Sequence, residues 1–175
     1  MGATGPGGSV DTVDFRITIG AETQEYPAKL IARESDLDLT WLQISDTRGK
    51  AFPHIDFTTG ASLEIGDRYL TLLRLGDRFE RAPVVYEGMI GGAIQRPRPL
   101  LVAGFGLAPG SVLFDQDSRA AGFVIAQPPE KGDPGADSED YMSAAVTFIL
   151  PAQKVVQAME QARQAAKKQT GEAGQ

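Results

Sequence analysis

Strict alternation of apolar and polar side chains opens the patterned part of the chain. Residues 15–19 read Phe-Arg-Ile-Thr-Ile, which predicts a half-buried strand. Two further apolar-rich runs, residues 25–32 and 37–44, predict a second and a third strand. Pro27 lacks a backbone N–H, so the second run is predicted to be an edge strand or to carry a bulge.

The middle of the chain predicts many short strands joined by turns, because it is rich in glycine and proline. One long strand is predicted over residues 83–94, ending in a bend at Gly91 and Gly92. Apolar residues 112–114 and 121–125 flank the turn-forming stretch 115–118, which predicts a β-hairpin. Further strands are predicted at residues 100–105 and 146–150.

One helix is predicted at the C-terminal end, over residues 151–168. Pro151 suits a first helical position, and Lys167 and Lys168 suit the last turn. The predicted apolar stripe consists of Ala152, Val155, Val156, Met159 and Ala162. Its helical spacing predicts packing on the preceding strands.

Four stretches, in order, resemble trypsin-like serine proteases of the HtrA branch. Residues 26–31 resemble its Tyr-x-Ala-x-Leu-[Ile/Val] strand, and residues 38–44 its Asp-[Leu/Ile]-Ala-[Leu/Val]-Leu strand. Residues 63–69 resemble its Gly-[Asp/Glu] entry into a second barrel. Residues 106–125 resemble the nucleophile loop and the hairpin that follows it. The ending Phe-x-[Ile/Leu]-Pro followed by a helix is also similar.

The resemblance implies a mostly β fold: a chymotrypsin/trypsin-like double β-barrel with an incomplete first barrel, plus a C-terminal α-helix. The family's first strands and its Thr-Ala-x-His motif would precede Phe15, where this chain has a glycine-rich lead. The implied organisation is a flexible lead at 1–13, a first-barrel remnant at 14–58, a second barrel at 59–150, a helix at 151–168 packed on it, and a tail at 169–175.

The catalytic residues of the family are only partly matched. Asp38 matches the triad aspartate, whereas the nucleophile position falls on Pro109, which has no hydroxyl. The only histidine, His54, follows Asp38, although the family order is His, Asp, Ser. A triad needs a serine held by a histidine base, so Ser111 is expected to be a turn residue and a weak nucleophile. Backbone N–H groups at Gly110 and Ser111 are candidates for a remnant oxyanion loop that holds an anion.

The composition of the chain limits the classes of ligand and binding partner that are expected. The net charge of −6 argues against a nucleic-acid binder, which usually carries a basic surface. No apolar run is long enough to span a membrane, and the sequence contains no cysteine. No metal site and no cofactor are predicted. No signal peptide is predicted within the chain, and the resemblance implies an extracytoplasmic or periplasmic location.

The expected function is therefore that of a catalytically inactive protease-like domain that binds protein or peptide. The predicted binding mode is β-augmentation at the strand holding Phe15, Ile17 and Ile19, by another protein or a second copy of the chain. Two alternatives stay open. One is a serine endopeptidase whose catalytic histidine half lies outside this chain. The other is a subunit whose barrel is completed by a partner.

Overall fold

The described part of the chain forms nine strands, one α-helix and two short 3₁₀ helices, Ser35–Leu37 and Asp77–Phe79. The computed structural model describes residues 15–19, 24–37, 39–103, 107–127 and 146–172. The elements, in chain order, are β1 Phe15–Thr18, β2 Glu25–Glu34, β3 Leu39–Ile44, β4 Arg68–Arg74, β5 Pro83–Ile94, β6 Leu100–Ala103, β7 Val112–Phe114, β8 Ala120–Gln127, β9 Val146–Pro151 and α1 Ala152–Glu172.

Strands β4 to β9 close into a six-stranded barrel in the order β4-β5-β6-β9-β8-β7. Two long-range pairings close it: β4 with β7, where Leu70 faces Phe114, and β6 with β9, where Leu101 faces Ile149. Apolar side chains that point inward fill the barrel. They are Leu63, Tyr69, Ile90, Leu101, Leu113, Ala121, Val124 and Ile149.

The first three strands form an open antiparallel sheet in the order β1-β2-β3. The mostly β architecture and the C-terminal helix are thus confirmed, whereas a double barrel is not: within the described residues only β4 to β9 close. Whether the open sheet is a barrel remnant stays a prediction.

The prediction for Pro27 is wrong about the edge, since β2 is the central strand. The missing N–H is tolerated there because β3 pairs with β2 only from Ala28 onward. The bulge in β2 lies instead between Leu30 and Ala32. A second bulge lies between Ile90 and Gly92, so the predicted glycine bend is an irregularity inside β5, which runs on to Ile94.

Helix α1 joins the sheet to the barrel. It contacts β2, β8 and β9, and a second apolar core lies beneath it. That core consists of Leu37, Leu100, Ile125, Leu150, Val155 and Ala158. The helix begins after Pro151, which still belongs to β9, and it extends to Glu172 rather than residue 168.

The predicted stripe of α1 is divided between two neighbours. Val155 is buried with the barrel residues of the second core, whereas Val156 and Met159 are only half-buried. Met159 also borders a groove against the open sheet. Val155 thus shares a core with barrel residues, while Met159 lies between the open sheet and the barrel. The division of the chain into the predicted domains stays a prediction.

Candidate functional site

The loop that resembles a nucleophile loop is a tight turn leading into β7. Gly110 has φ of +85°, a left-handed conformation that glycine adopts without the steric cost of a side chain. Pro109 is exposed in this turn, whereas Ser111 is buried. The position that the sequence resemblance assigns to a nucleophile is therefore exposed but holds a proline, and Ser111, the nearest residue after it with a hydroxyl, is buried.

Both backbone N–H groups of the candidate oxyanion loop already have partners. The N–H of Gly110 donates to the carbonyl of Val124 at 2.8 Å, and the N–H of Ser111 donates to the carbonyl of Ala108 at 3.2 Å. Val124 in turn donates to the carbonyl of Ser111 at 2.9 Å. An anion would have to break these bonds to gain a donor. The anion site at Gly110 and Ser111 stays a prediction, and this geometry weighs against it.

A buried carboxylate holds the hairpin turn that follows the loop. Asp115 accepts hydrogen bonds from the backbone N–H groups of Asp117 and Arg119 and from Arg119 Nε, at 3.0, 2.8 and 2.8 Å. Burial acts to raise the pKa of Asp115, but these hydrogen bonds and the charge of Arg119 outweigh it and lower the pKa. The sequence predicted the turn. The ion pair between Asp115 and Arg119 was not predicted, and it forms because the turn brings these two residues, four apart in the chain, together.

Of the residues considered for a triad, His54 and Ser111 are described by the structure and Asp38 is not. His54 is exposed in the coil between β3 and β4. Its charge contributes a minor part to the lowered pKa of Asp56, which is caused mainly by hydrogen bonds from Thr58. Asp38 lies outside the described residues, so its role as a triad aspartate stays a prediction. Within the described residues no cluster of three potential metal ligands occurs.

The predicted edge strand lies at one side of the open sheet. Among the described residues β1 pairs only with β2, where Phe15 faces Ala28 and Ile17 faces Tyr26. Ile19 follows the end of the strand. Burial alternates along β1 as the sequence pattern predicts. On the other side of the sheet, β3 likewise pairs with β2 and with no other described strand.

Comparison with known proteins gives one line of evidence, from structure. No protein-family model matches the sequence, and no curated protein sequence is similar to it. The protease domain of MamO from Magnetospirillum magneticum, in its apo form, is similar with a TM-score of 0.55 and 18% identity. The match covers 82% of this chain and 72% of that one.

The fold of this chain is similar to that of the MamO protease domain. At this level of identity the likeness concerns the fold alone, and it assigns neither an activity nor a branch of the family. None of the described helices is both long enough and apolar enough to cross a membrane.

Proposed function

We propose that this chain is a catalytically inactive, HtrA-like serine-protease-like domain that binds protein or peptide segments. The observation that carries the proposal is the loop at Pro109. An exposed proline occupies the nucleophile position, and the neighbouring Ser111 is buried with its backbone N–H and carbonyl already bonded.

The chemistry of acyl transfer supports this proposal. A serine hydroxyl attacks a carbonyl only when a base removes its proton. The sequence contains one histidine, His54, and that side chain is exposed beside Asp56. Among the described residues the Ser111 hydroxyl has no hydrogen-bond partner. We therefore assign Ser111 a structural place in the turn.

The binding half of the proposal rests on the open sheet. Exposed strand edges present rows of unpaired N–H and C=O groups that accept a further strand. We propose that residues 14–58 are a first-barrel remnant, that residues 59–150 form the second barrel, and that the helix joins them. The two free edges also favour the second candidate, a subunit whose barrel is completed by a partner strand.

The catalytic half is tested with a fluorophosphonate probe, which labels activated serines. We expect no labelling of the wild-type chain or of Pro109→Ser, because restoring a hydroxyl supplies no base. An active trypsin-like protease is the positive control and Ser111→Ala the negative control. Labelling of Ser111 in the wild type, or of the hydroxyl introduced by Pro109→Ser, would show that a base is within reach and would refute the proposal.

The open edge at β1 is tested by amide hydrogen exchange. We expect the outward amides of residues 16–19 to exchange rapidly in the isolated chain, because unpaired amides are not protected. Strong protection of all of them, in a sample that light scattering shows to be monomeric, would mean that this edge is already covered.

A further inference from the structure

A groove lies between the open sheet and the helix. Its volume is about 650 Å³. It is lined by Ile31, Trp41, Leu42, Gln43, Ile44, Met159, Ala162, Arg163 and Lys167. Successive side chains of a strand point to opposite faces of the sheet. The groove is bordered by four successive residues of β3, which point to both faces of that strand, and by Ile31 of β2, so it extends from the helix side of the sheet to β3 at its border.

Among the described residues, no strand pairs with the outer edge of β3. Outside the sheet, no backbone hydrogen bond among the described residues involves β3. Its sequence, Leu-Thr-Trp-Leu-Gln-Ile, contains no charge and no proline, the usual devices that discourage strand addition. The β1 edge differs, since its Arg16 forms an exposed ion pair with Glu25 at 3.2 Å. In the barrel, the strands β7, β8 and β9 also pair in chain order, and β9 comes last as β3 does in the open sheet. There, however, β6 pairs with the outer edge of β9.

The helical wall of the groove is positively charged. Arg163 and Lys167 are four residues apart, so they lie on one face of α1. None of the described residues that line the groove is acidic. Neither cation forms an ion pair with another described residue, although the chain as a whole carries a net charge of −6. The unpaired cations make the groove complementary to an acidic ligand.

We infer that the β3 edge, and not the β1 edge, binds an extended segment of another protein that carries acidic side chains. The segment pairs its backbone with β3, and its acidic side chains face Arg163 and Lys167. A second copy of the chain fits less well through its described edge strands, because β3 is uncharged and the charged residue of β1, Phe15–Thr18, is Arg16. This inference rests on the proposed binding function. It adds to that function which strand edge binds the ligand and which chemistry the ligand has.

The test uses two labelled peptide probes of about eight residues, long enough to span β3 at roughly 3.3 Å per residue. Both alternate valine and threonine, and one carries two glutamates where the other carries two lysines. Binding to the full chain is followed by fluorescence anisotropy at low salt. We expect the glutamate probe to bind roughly tenfold more tightly, and to weaken as salt screens the charges.

A charge-reversal pair of variants provides the matched control. Arg163→Glu with Lys167→Glu is expected to weaken the glutamate probe roughly tenfold and to favour the lysine probe. Arg74→Glu with Arg78→Glu changes the net charge equally on the exposed side of the barrel, and it is expected to leave the preference unchanged. Circular dichroism confirms that each variant is folded.

Amide exchange with the bound glutamate probe locates the edge. Protection of amides in residues 39–44, with none added at 15–19, supports the inference. Protection at 15–19 instead, equal binding of the two probes, or a dimer that already protects 39–44 overturns it while leaving a binding function in place. Absence of binding by either probe also overturns the inference, whereas fluorophosphonate labelling of Ser111 would refute the proposed function itself.

Discussion

Leu150 connects the three parts of the molecule, and its truncation tests that connection. The side chain is 2% exposed in the core that contains Leu37 from the sheet side, Leu100 and Ile125 from the barrel, and Val155 from the helix. Leu150→Ala removes three carbon atoms, at about 0.8 kcal/mol each. The residual cavity adds to this loss, so we expect about 3–4 kcal/mol of destabilisation.

The assay is equilibrium unfolding in urea, followed by far-ultraviolet circular dichroism and by fluorescence. Trp41 is the only tryptophan and packs against this core from β3, so its fluorescence reports on the sheet. We expect the two transitions to coincide, because one core holds the sheet, helix and barrel together. The melting temperature should fall by about 6–16 °C for a chain of this size.

Val146→Ala is the matched control on the same strand. Val146 is 54% exposed, so its truncation is expected to change stability by less than about 0.5 kcal/mol. A loss below about 1 kcal/mol for Leu150→Ala, or equal losses for the two variants, would refute the assignment of this core. Separate transitions for Trp41 fluorescence and circular dichroism would show that the sheet unfolds independently of the barrel.

Three further predictions concern the turn, the barrel and the helix. The fold lowers the pKa of Asp115. The ionised carboxylate therefore contributes fully to folding stability above the pKa of the unfolded chain, about 3.9, and this contribution is lost as the pH falls through the pKa of the folded state. Asp115→Asn should therefore lower the free energy of unfolding by about 1.5 kcal/mol at neutral pH. In acid titrations, the stability of this variant should depend less on pH below about pH 4 than that of the wild type. Gly122→Ala should cost about 2–3 kcal/mol in urea unfolding, because its Cβ would lie 2.5 Å from Ile149 Cγ2; Gly76→Ala, with open space around it, should be neutral. Met159→Ala should cost about 1–2 kcal/mol, less than a fully buried truncation, and an unchanged urea midpoint would show that this side chain does not pack.

The sequence determined the elements whose signals are local. The alternation at residues 15–18, the hairpin around Asp115 to Ser118 and the long strand Pro83–Ile94 follow from side-chain period and turn chemistry. The helix was predictable from its apolar stripe, since residues three and four apart share a face. These patterns depend only on neighbours in the chain.

Only the tertiary structure decided which strands meet and which polar groups are used. Pro27 lies in a central strand because β2 pairs with β1 on one side and with β3 on the other, and the β2–β3 ladder begins only at Ala28. The N–H group of Gly110 is occupied because β8 lies alongside the loop, where the carbonyl of Val124 accepts its hydrogen bond. The open β3 edge lies beside the cations of α1 because the helix crosses from the barrel to the sheet. Each outcome depends on contacts between residues distant in sequence, which local periodicity does not encode.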